Sequence, residues 1–135
     1  MKIIIVDDNA IYREGVKFLL ENFYGFEVIG EASNGAEYLK LSNKYYADIT
    51  LMDIEMPEMN GIEAAKRVLN IHNELKIIAI TDYHNNVYQY HLICAGFKAC
   101  IFKDNFYDEF ESTVNKVLDG KMNFPKNILL DEDEK

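Results

Sequence analysis

Five polar residues of the types that bind phosphate and divalent cations each follow a short apolar run in this 135-residue chain. They are Asp7, Asp8, Asp53, Thr81 and Lys103. Parallel strands point the same way, so polar residues just past their carboxyl ends collect along one sheet edge, where open α/β folds bind ligands. Three carboxylates, one hydroxyl and one ammonium at such an edge indicate a divalent cation and a phosphoryl group.

The acidic residues predict the cation site. Asp7 and Asp8 alone also fit a solvated turn, but a third carboxylate nearby, Asp53, makes the cluster electrostatically unfavourable without a cation. Mg²⁺ suits such a cluster because it takes oxygen ligands, keeps several waters and is completed by phosphate oxygens.

Asp53 is the candidate nucleophile of this site. A role as a helix N-cap is disfavoured because the next helix is expected near Gly61, eight residues further along. A carboxylate beside a bound cation can attack phosphorus and form an aspartyl phosphate. Thr81 or Lys103 alone is weak evidence for a phosphoryl-binding site. Together with Asp53 they predict a hydroxyl donor and an ammonium that pair with the phosphoryl oxygens.

Apolar runs and segments of helical period alternate five times along the chain. Strands are predicted over residues 2–6, 26–32, 48–52, 76–80 and 98–102. Helices are predicted over residues 10–23, 35–44, 61–71, 87–95 and 106–119. This alternation predicts an α/β fold with a doubly wound parallel sheet. The segment after Gly120 is expected to be irregular.

The composition of the chain argues against nucleic acid and membrane as direct partners. The net charge of −9 argues against direct nucleic-acid binding, which relies on Lys and Arg. No run reaches the ~18 apolar residues of a membrane span, and the N-terminus lacks the features of a signal peptide. Cys94 and Cys100 have no metal-ligand spacing and are interpreted as reduced thiols. We therefore expect a cytoplasmic chain that contacts neither nucleic acid nor membrane directly.

Five motifs surround the site residues: IIIVDD (3–8), LMDIEMPEMNG (51–61), IIAIT (77–81), AG (95–96) and IFK (101–103). With them, the chain resembles the receiver domains of two-component response regulators over residues 2–120. The resemblance implies a flavodoxin-like (βα)₅ fold with a five-stranded parallel sheet in the order 2-1-3-4-5.

The resemblance also implies the phosphoryl chemistry. In that family the residue matching Asp53 is phosphorylated by a partner histidine kinase, and those matching Thr81 and Lys103 contact the phosphoryl group. Phosphorylation then reshapes the surface of helix 4, strand 5 and helix 5. Beyond accepting and slowly losing its own phosphoryl group, such a domain is not expected to be an enzyme.

The family's cation is Mg²⁺, and the resemblance implies its ligands. These are the carboxylates matching Asp8 and Asp53 and the backbone carbonyl matching Glu55. The residue matching Asp7 assists, partly through water.

A subgroup of transcription factors with a C-terminal helix-turn-helix is most similar to this chain, through IYREGVKFLL (11–20), NGIEAAK (60–66) and DGKMNFP (119–125). The subgroup implies control of a DNA-binding output domain that these 135 residues do not contain, and the sequence leaves open a fragment or a stand-alone receiver. We predict a receiver domain over residues 1–122 and a tail or linker over 123–135. Homodimers are expected through helix 4–strand 5–helix 5 or helix 1–helix 5.

Several positions depart from the family pattern. Asp82 replaces a small residue and is expected to repel phosphodonors, and Cys100 replaces the switch aromatic. Glu55 and Tyr83 lie where the family tunes phosphoryl lifetime, so we predict an altered, slow dephosphorylation. His84, in the same loop, is interpreted as a surface histidine.

Asp82 and Cys100 support one alternative, a degenerate receiver acting as a phosphorylation-independent interaction module. The presence of all the phosphorylation residues argues against it. An aspartate-nucleophile phosphohydrolase is disfavoured. Such enzymes use Asp-x-Asp after the first strand, whereas here the nucleophile lies in Asp53-Ile54-Glu55 after the third.

Overall fold

Five parallel strands form one sheet in this structure, a computed structural model that describes residues 1–82 and 85–125, apart from the side chain of residue 86. The strands are β1 (Lys2–Val6), β2 (Glu27–Ala32), β3 (Ile49–Asp53), β4 (Ile77–Thr81) and β5 (Ala99–Phe102). The helices are α1 (Ala10–Asn22), α2 (Gly35–Lys40), α3 (Gly61–Ile71), α4 (Asn86–Ala95) and α5 (Phe106–Leu118). The strand order β2-β1-β3-β4-β5 confirms the predicted doubly wound fold.

The core lies on both faces of the sheet, which explains the continuous apolar strands. In β1, Ile4 and Val6 face the side covered by α2, α3 and α4, whereas Ile3 and Ile5 face α1 and α5. All four side chains are buried. A strand covered by helices on both faces has no solvent-facing positions, so its sequence does not alternate.

Asparagine side chains cap the N-termini of four helices. Asn9, Asn34, Asn60 and Asn85 precede α1, α2, α3 and α4, and each accepts a hydrogen bond from a backbone N–H of the first turn. Caps of this kind stabilise a helix by about 0.5–2 kcal/mol. Because these helices follow the carboxyl ends of the strands, the caps also define the loops that surround the sheet edge.

Helix α2 is shorter than predicted. It ends at Lys40 rather than residue 44, and residues Lys44–Tyr46 form a separate 3₁₀ turn. The amide of Asn43 donates to the backbone carbonyl of Ile29 in the edge strand β2 (2.8 Å). This side-chain bond to a strand competes with continuation of the helix.

The chain after Gly120, expected to be irregular, is tied to the sheet. Asn123 pairs in parallel with Ala99, donating its N–H to the Lys98 carbonyl (3.0 Å) and accepting from the Cys100 N–H (3.2 Å). Phe124 packs against the core cluster that α3 and α4 cover. The outer edge of β5 is therefore partly occupied by this segment.

Within the described ranges, no helix combines the length and the apolar character that a bilayer crossing requires. Tyr83, His84 and residues 126–135, on which some of the predictions above depend, lie outside the described residues.

Candidate functional site

The carboxyl ends of four strands meet at one edge of the sheet. Asp7 directly follows β1, Asp53 and Thr81 are the last residues of β3 and β4, and Lys103 directly follows β5. Asp53 and Thr81 belong to their strands rather than following them, one residue beyond the predicted ends. The side chains of Asp7, Asp53 and Thr81 are buried, and that of Lys103 is largely buried. Asp8 is exposed at the rim of the site.

Lys103 joins the two buried carboxylates. Its Nζ lies 2.9 Å from Oδ2 of Asp7 and 3.5 Å from Oδ2 of Asp53. Burial lowers the pKa of Lys103, but the hydrogen bond to Asp7 and the charges of Asp53 and Asp7 together raise that pKa above its ordinary value. The ammonium therefore stays charged between the two acids.

Asp53 is electrostatically strained in this setting. Burial raises its pKa to about 7, with a further contribution from the negative charge of Asp7, against the opposing effects of Lys103 and the Ile54 N–H. That N–H donates to Oδ1 of Asp53 (2.8 Å), so Oδ2 is the oxygen paired with Lys103. A second cation near Asp53 would favour its ionised, nucleophilic form.

The acids form a set of oxygen donors. One carboxylate oxygen each from Asp7, Asp8 and Asp53 can be chosen so that all three lie within 4.8 Å of one another. Only one ammonium, from Lys103, is paired with this group in the salt bridges above. Carboxylate oxygens with an exposed rim position for water are the donor set that Mg²⁺ prefers, so these residues fit the predicted ion.

A glycine lets α3 begin directly beneath Asp53. Gly61 donates its N–H to the Ile54 carbonyl (2.9 Å), and a Cβ at this position would overlap the backbone carbonyl oxygen of Asp53. The Cα of Ile54 would lie 3.2 Å from the same Cβ. The PEMNG stretch therefore ends in glycine for steric reasons, and this contact holds the end of β3 in place.

Helix α4 contacts the site from the side of β4 and β5. The Tyr88 hydroxyl donates to Oε1 of Glu55 (2.8 Å). Between α4 and β5, Nε2 of the fully buried Gln89 lies 3.2 Å from Sγ of Cys100. Burial raises the pKa of the Cys100 thiol to about 12, so it stays neutral. Asp82, beside Thr81, is exposed at the site mouth.

Three residues that contribute to the site or its surroundings were not predicted from the sequence: Tyr12, Arg13 and Gln89. The Tyr12 ring lies under the Lys103 ammonium, 4.5 Å from Nζ to the ring centroid. Arg13 donates to the Asp7 carbonyl and forms an ion pair with Glu31 (3.1 Å), which fixes the end of β1. The available signals were the position of Tyr12 three residues after the cap Asn9 and the amide of Gln89 in the middle of α4.

Known proteins provide an independent comparison. The family model of the response regulator receiver domain matches residues 3–115. The transcriptional regulatory protein YdfI of Bacillus subtilis is 36% identical over 128 residues, which are 95% of this chain and 60% of that protein. The response regulator GacA of Pseudomonas syringae is 30% identical over 90% of this chain and 56% of its own length. The chain thus spans just over half the length of these relatives.

Solved structures agree with the sequence comparison. A LuxR-family two-component response regulator from Aurantimonas superposes with a TM-score of 0.86 at 26% identity, covering 98% of this chain and 95% of that one. The receiver domain of the putative response regulator NarL from Mycobacterium tuberculosis gives 0.80 at 27% identity, covering 89% and 97%.

Proposed function

The chain belongs to the response regulator receiver domain family of two-component systems, and on that premise we propose that Asp53 is the phosphoacceptor through which a sensor histidine kinase controls this protein. The observation that carries the proposal is the position of Lys103, with its ammonium within 3.5 Å of both Asp7 and Asp53. A cation held there can neutralise the charge that a phosphoryl group brings.

In the proposed step, a carboxylate oxygen of Asp53 forms a bond to phosphorus while the P–N bond to the kinase's phosphohistidine breaks. The histidine nitrogen keeps the electron pair and takes a proton from solvent. Lys103 then exchanges its pairing with Asp53 for the new phosphoryl oxygens, and the buried Thr81 hydroxyl donates to another of them. Beyond this transfer and slow hydrolysis of the aspartyl phosphate, we propose no enzymatic activity.

We propose Mg²⁺ as the ion of the acidic cluster. Asp7, Asp8 and Asp53 would hold it through carboxylate oxygens, with the backbone carbonyl of Glu55 as a further ligand. When bound, the ion supplies positive charge that stabilises the transferring phosphoryl group. The cluster geometry and its all-oxygen chemistry support this assignment.

The proposed output is transcription. The relatives named above are transcriptional regulators and response regulators that are longer than the matched region, so we propose that a DNA-binding domain carries the output and that this chain does not touch DNA itself. We propose a cytoplasmic location, where the kinase's phosphohistidine is presented. The switch would act through α4, β5 and α5, where Cys100 takes the place of the usual aromatic.

Of the two dimer faces, we propose the α1–α5 face, although Val87 on α4 is also exposed. Ile11 and Phe18 on α1 are 84% and 69% exposed, and Tyr107 on α5 is 59% exposed. On the other face, the outer edge of β5 is already paired at Ala99 with Asn123. Exposed apolar side chains favour association, whereas a paired strand edge has fewer free backbone groups to offer.

Intact-mass spectrometry after incubation with acetyl phosphate tests the phosphoacceptor. We expect one added phosphoryl group in the wild-type chain with Mg²⁺, and none with chelator or in Asp53→Asn. The control Asp119→Asn, which removes an exposed carboxylate at the end of α5, should be modified like the wild type. An adduct that persists in Asp53→Asn would contradict the proposal.

The degenerate receiver remains the second candidate because Asp82 is exposed beside the site. It predicts no adduct with either acetyl phosphate or a phosphorylated kinase. If Asp82→Ala restores the adduct, repulsion by this carboxylate was the obstacle, and the phosphorylation machinery is intact.

A further inference from the structure

The Tyr12 hydroxyl is a buried polar group that nothing in the resting site satisfies. Its oxygen is inaccessible to solvent and finds no hydrogen-bond partner among the residues that the structure describes. The Tyr12 backbone N–H donates to the Asn9 side chain (3.0 Å). The ring packs edge-on against Phe106 (81°, 6.5 Å between centroids), and the Lys103 ammonium covers its face. A buried donor without an acceptor destabilises the state that contains it.

The charges around this hydroxyl determine which role it can take. Burial raises its pKa well above the ordinary value for tyrosine, and the negative charges of Asp7, Asp82 and Asp53 raise it further. The hydroxyl is therefore protonated at any physiological pH and lies within the field of the acidic site. A protonated hydroxyl in this position can be satisfied by donating a hydrogen bond to an acceptor, and an anion is the strongest acceptor.

A phosphoryl group on Asp53 supplies the missing acceptor. It would add strongly accepting oxygens next to Oδ2 of Asp53, which lies 3.5 Å from Lys103 Nζ. The same Nζ lies 4.5 Å from the centre of the Tyr12 ring. A phosphoryl group paired with Lys103 is therefore brought to the side of the site where Tyr12 lies.

We propose that Tyr12 is a phosphoryl-binding residue, whose hydroxyl donates to an oxygen of the phosphoryl group on Asp53 while its ring holds the Lys103 ammonium. This inference rests on the proposed function of Asp53. It explains the unsatisfied Tyr12 hydroxyl of the resting site, because phosphorylation would provide its acceptor.

Beryllofluoride, whose fluorine atoms stand in for the phosphoryl oxygens, provides the probe. In ¹⁹F spectra of the adduct with Mg²⁺, Tyr12→Phe should shift one bound fluorine resonance relative to wild type, because it removes the donor and keeps the ring. The control Tyr107→Phe, on the exposed face of α5, should leave all resonances in place. A merely structural role of the Tyr12 ring would not produce this selective shift.

Affinity and absorbance give two further readouts. Losing a hydrogen bond to a charged group should weaken beryllofluoride binding about tenfold in Tyr12→Phe, and Tyr12→Leu, which also loses the ring over Lys103, should bind more weakly still. The chain has nine tyrosines and no tryptophan, so adduct formation should give a tyrosine difference spectrum, and Tyr12→Phe should lose the part that comes from Tyr12.

The outcomes separate the two proposals. A wild-type adduct with unchanged resonances and unchanged affinity in Tyr12→Phe would overturn the role of Tyr12 and leave Asp53 as the phosphoacceptor. A wild-type chain that forms no adduct, while a known receiver does under the same conditions, would overturn the proposed function and with it this inference.

Discussion

At the scale of single residues, the site is defined by one ammonium shared between two buried acids. Lys103 offsets part of the repulsion between Asp7 and Asp53, yet the pKa of Asp53 still rises to about 7 because burial outweighs the compensation. The resting site is thus short of positive charge. This deficit is the physical reason why a divalent cation and an anionic group can enter together.

The close approach of Gly61 to Asp53 gives a steric prediction at this scale. Gly61→Ala places a methyl group against the Asp53 carbonyl, so we expect a loss of about 2 kcal/mol or more in the free energy of unfolding. Urea denaturation measures this loss. The displaced end of β3 should also lower the yield of phosphorylated chain.

Gly15→Ala is the matched control because a Cβ there meets nothing within 4 Å. Gly15 lies inside α1, so alanine should stabilise the fold by about 0.5–1 kcal/mol. Equal effects of the two substitutions would refute the steric role of Gly61.

At the scale of the elements, α4 packs on β5 through an unusual polar pair. Gln89 is fully buried and uses Nε2 on Cys100, while its Oε1 has no partner in the part of the chain that the structure describes. An apolar residue would pack there without this cost. The pair therefore reduces the stability of the contact that the proposed switch has to rearrange.

Gln89→Met tests this account because methionine keeps the length and shape of the side chain. We expect the free energy of unfolding to rise by about 1 kcal/mol, since a buried unsatisfied oxygen is removed. Gln89→Glu, which buries a carboxylate at the same place, should destabilise by more than that. A destabilised methionine variant would mean that the amide is satisfied in solution.

The elements also show which features of the structure the sequence can predict. The strands and the doubly wound order follow from short apolar runs alternating with helical patterns. The polar residues at the strand ends follow from the topology, and the structure places Asp7, Asp53 and Lys103 in contact. Local patterns are sufficient because each of these residues lies at the end of its own strand.

What the sequence does not predict depends on contacts between distant segments. The early end of α2 results from Asn43 binding β2, and the pairing of Asn123 with Ala99 joins the segment after α5 to β5. Tyr12 enters the site only because α1 packs next to Lys103. No local propensity encodes these contacts, since each requires the folded sheet.

At the scale of the whole molecule, charge is the dominant feature. The chain carries a net charge of −9, and three of its carboxylates are clustered at the site. A bound divalent cation is therefore expected to stabilise the whole fold, because it binds the native cluster and has no equivalent site in the unfolded chain.

Thermal unfolding with and without Mg²⁺ at matched ionic strength measures this linkage. At 10 to 100 times the dissociation constant, binding stabilises by about 1.4–2.7 kcal/mol, which raises the midpoint by roughly 5–10 °C for a domain of this size. Asp8→Asn should lose most of this shift, while Asp119→Asn should keep it. A shift that is the same in all three chains would show that Mg²⁺ acts elsewhere.

The central claim is that Asp53 carries the phosphoryl group, and chemical mapping tests it most directly. Borohydride reduces an aspartyl phosphate to homoserine, and peptide mass spectrometry then locates that residue in the chain. After phosphorylation with Mg²⁺, we predict homoserine at position 53 and at no other aspartate. Homoserine at position 7 or 8, or a phosphorylated chain that yields none, would contradict the assignment.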